Sequence, residues 1–139
     1  MIADRATPKL PPMTSPGAGA QVRLERVADG QATVLWVNGE IDLVTASALE
    51  EGLDSALDAA GAGALVVVDL TGVTFLASAG LAALMRAHVQ TRERGHDLVI
   101  AALGSGSAMR SITVSGLADT FTVVESTDAA LLREPRNPA

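Results

Sequence analysis

Apolar positions fall along the chain in two rhythms, short β-rich runs and stretches spaced for a helix face. Residues 21–27 and 32–37 read as strands, joined through Asp29-Gly30, a dipeptide suited to the positive φ angles of a tight hairpin turn. The second run is apolar on both parities, so it belongs inside a sheet covered on both faces. From 45 to 60 the period turns helical, with Leu49, Leu53 and Leu57 four apart and Ser47-x-x-Glu50 matching a capping box. Leu65-Val-Val-Val-Asp69 is a β-branched run of the kind that forms a buried parallel strand.

The strongest helical stripe follows, with Leu81, Leu84, Met85, His88 and Val89 at i, i+3, i+4, i+7 and i+8. Arg92 and Arg94 suit its last turn, and Gly95 its end. Residues 98–102 read as a strand, 107–115 as a helix stopped by Gly116, 120–124 as a strand and 127–132 as a closing helical turn or two. The order β-β-α-β-α-β-α-β-α predicts an α/β fold: a mixed, largely parallel sheet of about five strands with about four helices.

Four of the six prolines lie in the first twenty residues and the other two in the last five. This divides the chain into a flexible arm over 1–20, a domain over 21–134 and a short tail over 135–139. The whole chain of 139 residues carries a net charge of −6, yet 21–134 holds 15 acids against 7 bases. Such a domain is unsuited to nucleic acid or to anionic lipid. The apolar stretch over 59–85 is not a membrane span, because it holds Asp69 and four glycines. No basic-then-apolar leader opens the chain. Without cysteine there is no thiol nucleophile and no cysteine-based zinc site. A cytoplasmic protein without a cofactor is expected.

Candidate chemistry concentrates at Ser78, which stands just before the strongest helix, with eight residues between it and the strand end expected at Asp69. One reading makes it an N-cap, its hydroxyl accepting a bond from a free N–H of the first turn. In the other it carries a phosphate, which a helix N-terminus tolerates locally and which adds about −1.5 to −2 charges to a docking surface. Glu40 and Asp42 could form an acid and base pair, but two carboxylates on one turn suit a solvated capping loop better. The six acids from Glu40 to Asp58, with no base among them, suit either a solvated face or the steering of a basic partner. Gly104-Ser-Gly-Ser-Ala-Met109 has the look of a phosphate-cradling turn but lacks the lysine of a P-loop and the third glycine of a dinucleotide fingerprint. His88 falls on the apolar stripe and reads as partly buried, His96 as exposed; no metal-ligand spacing links them. Leu76-Ala-Ser-Ala-Gly80 departs from the Gly-x-Ser-x-Gly of a hydrolase elbow, so no enzymatic activity is expected.

Val37-Asn-Gly-Glu-Ile-Asp42 with Thr45-Ala46, then Leu65-Val-Val-Val-Asp-Leu-Thr-Gly-Val-Thr-Phe-Leu-Ala-Ser-Ala-Gly-Leu81, resembles the STAS domain of bacterial anti-sigma factor antagonists. The resemblance runs from about Gln21 to Leu132 and takes in Leu117-Ala-Asp-Thr-Phe121 and Asp128-Ala-Ala-Leu131. It implies a partner-switching regulator that binds an anti-sigma factor of the serine kinase type when Ser78 is unphosphorylated and releases it when phosphorylated, with a phosphatase as a further partner. On that pattern Ser78 is the phosphoacceptor, and Glu40, Asp42, Ala77, Ser78, Ala79 and Gly80 form the partner surface. The family usually places Asp before the serine and often Ser or Thr after it, where this chain has Ala77 and Ala79. That departure favours an alternative: a STAS-like subunit or scaffold of a transporter or signalling complex, without phosphoregulation.

Overall fold

The computed structural model describes residues 20–61 and 63–132. The predicted arm, Ala20 excepted, and the predicted tail lie outside them. Five strands, β1 (Ala20–Val27), β2 (Ala32–Ile41), β3 (Leu65–Leu76), β4 (Asp97–Ala101) and β5 (Thr122–Val124), form one sheet in the order 1-2-3-4-5. The helices are α1 (Ala46–Ala59), α2 (Ser78–Glu93), α3 (Ser107–Val114) and α4 (Thr127–Leu132). β1 pairs antiparallel with β2, and every later pair is parallel.

Because each crossover from β2 to β5 steps the same way along the sheet, right-handed connections place α1, α2 and α3 on one face. The main core lies there, joining Leu35, Val37, Val66, Val68 and Ile100 of the sheet to Leu49, Leu53 and Leu57 of α1, Ala83, Leu84 and Ala87 of α2, and Ile112 of α3. On the other face α4 packs Ala130 and Leu131 onto a smaller cluster of Val34, Val67 and Val99. A buried carboxylate holds α4 in place. Asp69 accepts hydrogen bonds from the Thr71 amide and hydroxyl on one oxygen and from the Thr127 hydroxyl, at 2.6 Å, on the other.

Several elements differ from expectation. The first turn is not a two-residue hairpin: Val27 and Ala32 are the last pair, and a 3-10 turn over Ala28–Gly30 joins them, with positive φ at Ala28 and Gly30. The N-cap of α1 is Thr45 and not Ser47, which lies inside the helix. The stripe buried on α2 is Gly80, Ala83, Leu84, Ala87 and Thr91, while Leu81 and Met85 are half-buried and Val89 exposed. Small residues let this helix sit close on the sheet, so its buried face is turned by about one residue from the one its large side chains suggest. His88 is half-buried, edge-on to Phe121 with ring centroids 5.7 Å apart. His96 is buried, at 8% exposure, where an exposed residue was expected. A Schellman motif accounts for it: with Gly95 at φ 77°, its N–H donates to Arg92 and that of His96 to Thr91, which turns the chain back over the helix end at His96. α3 ends the same way at Gly116 and Leu117.

The largest departure is β3, which continues for seven residues beyond Asp69, through a run rich in β-branched and aromatic side chains, to Leu76. β2 continues with it to Ile41, across register shifts near Asn38 and Gly39. At the first shift Gly72 lets the exposed Asn38 side chain lie over it, in space a Cβ would take. Glu40 thus pairs with Phe75 and Ile41 with Leu76, which brings the acidic turn and Ser78 to one tip of the sheet.

Candidate functional site

At this tip β2 passes directly into the turn before α1. The Asp42 carboxylate accepts the amides of Val44 and Thr45 at 3.0 and 2.9 Å, the Asp42 amide donates back to the Thr45 hydroxyl at 2.8 Å, and Ala46 donates to the Asp42 carbonyl. Asp42 and Thr45 are therefore bonded reciprocally, in the manner of a capping box, within the turn that leads into α1, whose N-cap residue is Thr45. Thr45 also donates to the Glu40 carbonyl, which ties the strand end to the helix start. The amide and hydroxyl of Thr45, with the Val44 amide, hold the Asp42 carboxyl below its ordinary value of 3.8. A carboxylate so engaged is no general acid, and the paired-carboxylate reading of Glu40 and Asp42 loses its geometry. The Glu40 side chain is exposed.

β3 passes into α2 just as directly. The Ala77 amide donates to the Ile41 carbonyl at 2.8 Å, and its own carbonyl accepts from Gly80 and Leu81. Ala77, with extended φ and ψ, is the N-cap residue, and Ser78 is the first residue of the helix. Ser78 is accordingly not the cap: its side chain is exposed and its hydroxyl has no hydrogen-bond partner among the described residues. No acid lies in the first turn, so nothing carboxylate competes there for the helix amides. Ala79 is half-buried. Gly80 is buried so tightly that a Cβ would stand 2.6 Å from Leu76 Cδ1 and 2.7 Å from Ile41 Cγ2. Ser111 of α3 donates to the Leu76 carbonyl at 2.8 Å and braces the same junction.

Ser78 thus follows its strand by one intervening residue instead of eight. Distance from a loop no longer separates it from a hydrolase elbow, but the supply of a base does. His88 lies ten residues along α2, or about 15 Å of helix rise, and His96 lies beyond the helix's far end. Two of the six acids between Glu40 and Asp58 are paired, Glu50 with Arg86 and Asp58 with Arg94, each at 3.3 Å. These are exposed pairs of small worth. The glycine and serine turn before α3 places Gly106 at the helix N-cap and brings no lysine to it. Among the described residues no cluster of His, Asp or Glu could hold a metal, and no helix is long and apolar enough to cross a membrane.

Two features of this site were not anticipated. Leu43 and Val44 at the turn, and Phe75 opposite Glu40, are large apolar side chains left in solvent. Their signal in the sequence was the abrupt meeting of Ile41-Asp42 with Leu43-Val44, an apolar pair at a place where a turn is ordinarily polar.

The sequence model described as "Mlab, STAS domain" matches residues 24–132. The chain belongs to the STAS domain family. Among its relatives, the anti-sigma-F factor antagonist RsfB of Mycobacterium tuberculosis is 37% identical over 100 residues, which cover 70% of this chain and 77% of that protein. The crystal structure of an anti-sigma factor antagonist from Mycobacterium paratuberculosis superposes with a TM-score of 0.67 at 32% identity, covering 81% of this chain and 91% of the other. The anti-sigma factor antagonist SpoIIAA in its unphosphorylated form shares the fold, with a TM-score of 0.57 at 15% identity over 80% of this chain and 94% of that one. Within the STAS family this chain therefore groups with the anti-sigma factor antagonists, and the five-stranded mixed sheet with four helices is the fold they share.

Proposed function

We propose that this STAS domain is a partner-switching antagonist, which holds an anti-sigma factor of the serine kinase type while Ser78 is free and lets it go once Ser78 is phosphorylated. The observation that carries this reading is the exposed, unbonded Ser78 hydroxyl at the start of α2, next to the turn bearing Glu40 and Asp42. A kinase active site can reach such a hydroxyl without unfolding anything. The resulting phosphate would meet the free amides of the first turn, so the fold tolerates it. The interface does not: about two added negative charges buried without partners cost on the order of 3 to 5 kcal/mol, or a hundredfold to a few thousandfold in affinity. The protein acts as substrate and ligand, the transfer chemistry belongs to the kinase, and a phosphatase resets the switch. The setting is the cytoplasm, where such a kinase finds ATP.

Ala77 favours a second reading, in which the same tip docks a transporter or signalling subunit constitutively, because the carboxylate usual before the serine is absent. One experiment separates the two. The purified chain is incubated with Mg-ATP and the kinase-type anti-sigma factor of its own host, then analysed by intact mass. A single phosphate on wild type and none on Ser78→Ala is expected. Labelling of Ser78→Ala as strong as wild type refutes the site, and no labelling of either protein refutes the switch.

A further inference from the structure

We infer that the tip of the β2–β3 pair is the affinity-determining part of the docking surface, with Leu43, Val44 and Phe75 as apolar anchors, and that it fits a protein surface holding an apolar pocket fringed by Lys or Arg. This deepens the partner-switching reading and rests on it for the identity of the partner. Leu43 and Val44 are 82% and 80% exposed and Phe75 50%. Scattered single apolar residues on a surface need no explanation, but three large ones on one tip do. Their placement is fixed, because the Asp42 carboxylate locks the turn carrying Leu43 and Val44, and the Glu40–Phe75 register locks the strand beside it. A preorganised anchor gives up little conformational freedom on binding.

Charge selects the occupant. From Val27 to Met85 the chain has eight acids and no Lys, Arg or His, and both Glu40 and Asp42 flank the anchors. A second copy docked about a two-fold axis would set these carboxylates against themselves. A basic-rimmed partner would instead meet them with opposite charge. Ser78 stands at the margin of the same patch, so a phosphate there adds negative charge where the partner brings positive charge to the rim but an apolar pocket to the centre. On this arrangement the anchors supply the affinity and Ser78 the means of cancelling it.

The test uses the full-length protein in its own host, with the photo-crosslinker p-benzoylphenylalanine placed at positions 43, 75, 89 or 132. Val89 and Leu132 are the controls, 46% and 83% exposed but on α2 and α4, away from the tip. Positions 43 and 75 are expected to capture one and the same protein, identified by mass spectrometry, through a peptide that contains Lys or Arg. With that protein purified, the double variant Leu43→Ala/Val44→Ala should bind at least about tenfold more weakly with its circular dichroism unchanged, and Leu132→Ala within about twofold of wild type. Wild-type binding should also weaken between about 50 and 300 mM salt. Equal capture at 89 and 132, no capture at 43 and 75, or capture of a second copy of the chain overturns the inference. Capture at 43 and 75 of a protein that is not an anti-sigma factor upholds the surface and overturns the partner proposed above. Phosphorylation of Ser78 without capture at the tip does the reverse.

Discussion

Replacing Gly80 by alanine tests whether the position of Ser78 is set by close packing at the strand-to-helix junction. An added Cβ would lie 2.6 Å from Leu76 Cδ1 and 2.7 Å from Ile41 Cγ2, both on fully buried side chains. Leu76 could swing its terminal methyl aside, but Ile41 Cγ2 is fixed to a branched Cβ within a strand and has nowhere to go. Overpacking of this kind costs typically 1 to 3 kcal/mol. Against it stands the helix propensity of alanine over glycine, worth up to about 1 kcal/mol in a helix interior and less in a first turn. The steric term wins, leaving a net loss of about 1 to 2 kcal/mol. With a urea m-value of about 1 to 3 kcal/mol/M for a small domain, the unfolding midpoint should fall by roughly 0.3 to 2 M. If α2 relieves the contact by lifting its first turn, Ser78 moves with it, and phosphorylation should slow more than the stability loss explains. A midpoint equal to or above that of wild type would refute the reasoning, since propensity alone predicts a gain.

Ser78→Glu should leave the unfolding free energy within about 1 kcal/mol of wild type, on the stabilising side because a carboxylate suits a helix N-terminus, while titration calorimetry shows weakened partner binding. Thr127→Val should cost about 1.5 to 3 kcal/mol by chemical denaturation, because the buried Asp69 carboxylate loses its hydroxyl donor from α4. The Asp42 carboxyl is held below 3.8 in the folded state, so its contribution to stability is complete above that pH and is lost as the pH falls through the lower folded value. Asp42→Asn, which cannot titrate, should therefore lose less stability than wild type between neutral pH and pH 3 in urea melts, and parallel curves would count against this bonding.

The hydrophobic rhythm located the four α-helices of the described residues and the succession of strands, because burial on one face imposes its period on residues such as Leu49, Leu53 and Leu57. It was less informative wherever small residues or backbone groups decide the packing. α2 is seated by Gly80, Ala83 and Ala87, whose weak hydrophobicity hides them beside Leu81 and Met85. The extension of β3 to Leu76 was hidden by Thr71-Gly72, which reads as a turn but serves as a register shift against Asn38. The helix start was displaced for a similar reason: Ser47 and Glu50 match the capping pattern, yet Asp42 closes a turn right after the strand end and the helix begins at Ala46. Ser78 and its acidic neighbours were legible as residues, whereas the apolar anchors beside them appeared only once the turn and strand were placed together.

The seven residues of β3 beyond Asp69 have a strand neighbour only on the β2 side, since β4 ends its pairing at Asp69. Their free edge is a β-rich segment, Leu70 to Leu76, without a charge, and α3 lies against it with Ser111 bonded to the Leu76 carbonyl. A bare edge of this composition is a template for amyloid-like stacking. α3 thus shields an edge that would otherwise be open to a second chain, and variants that loosen this short helix should collect in inclusion bodies.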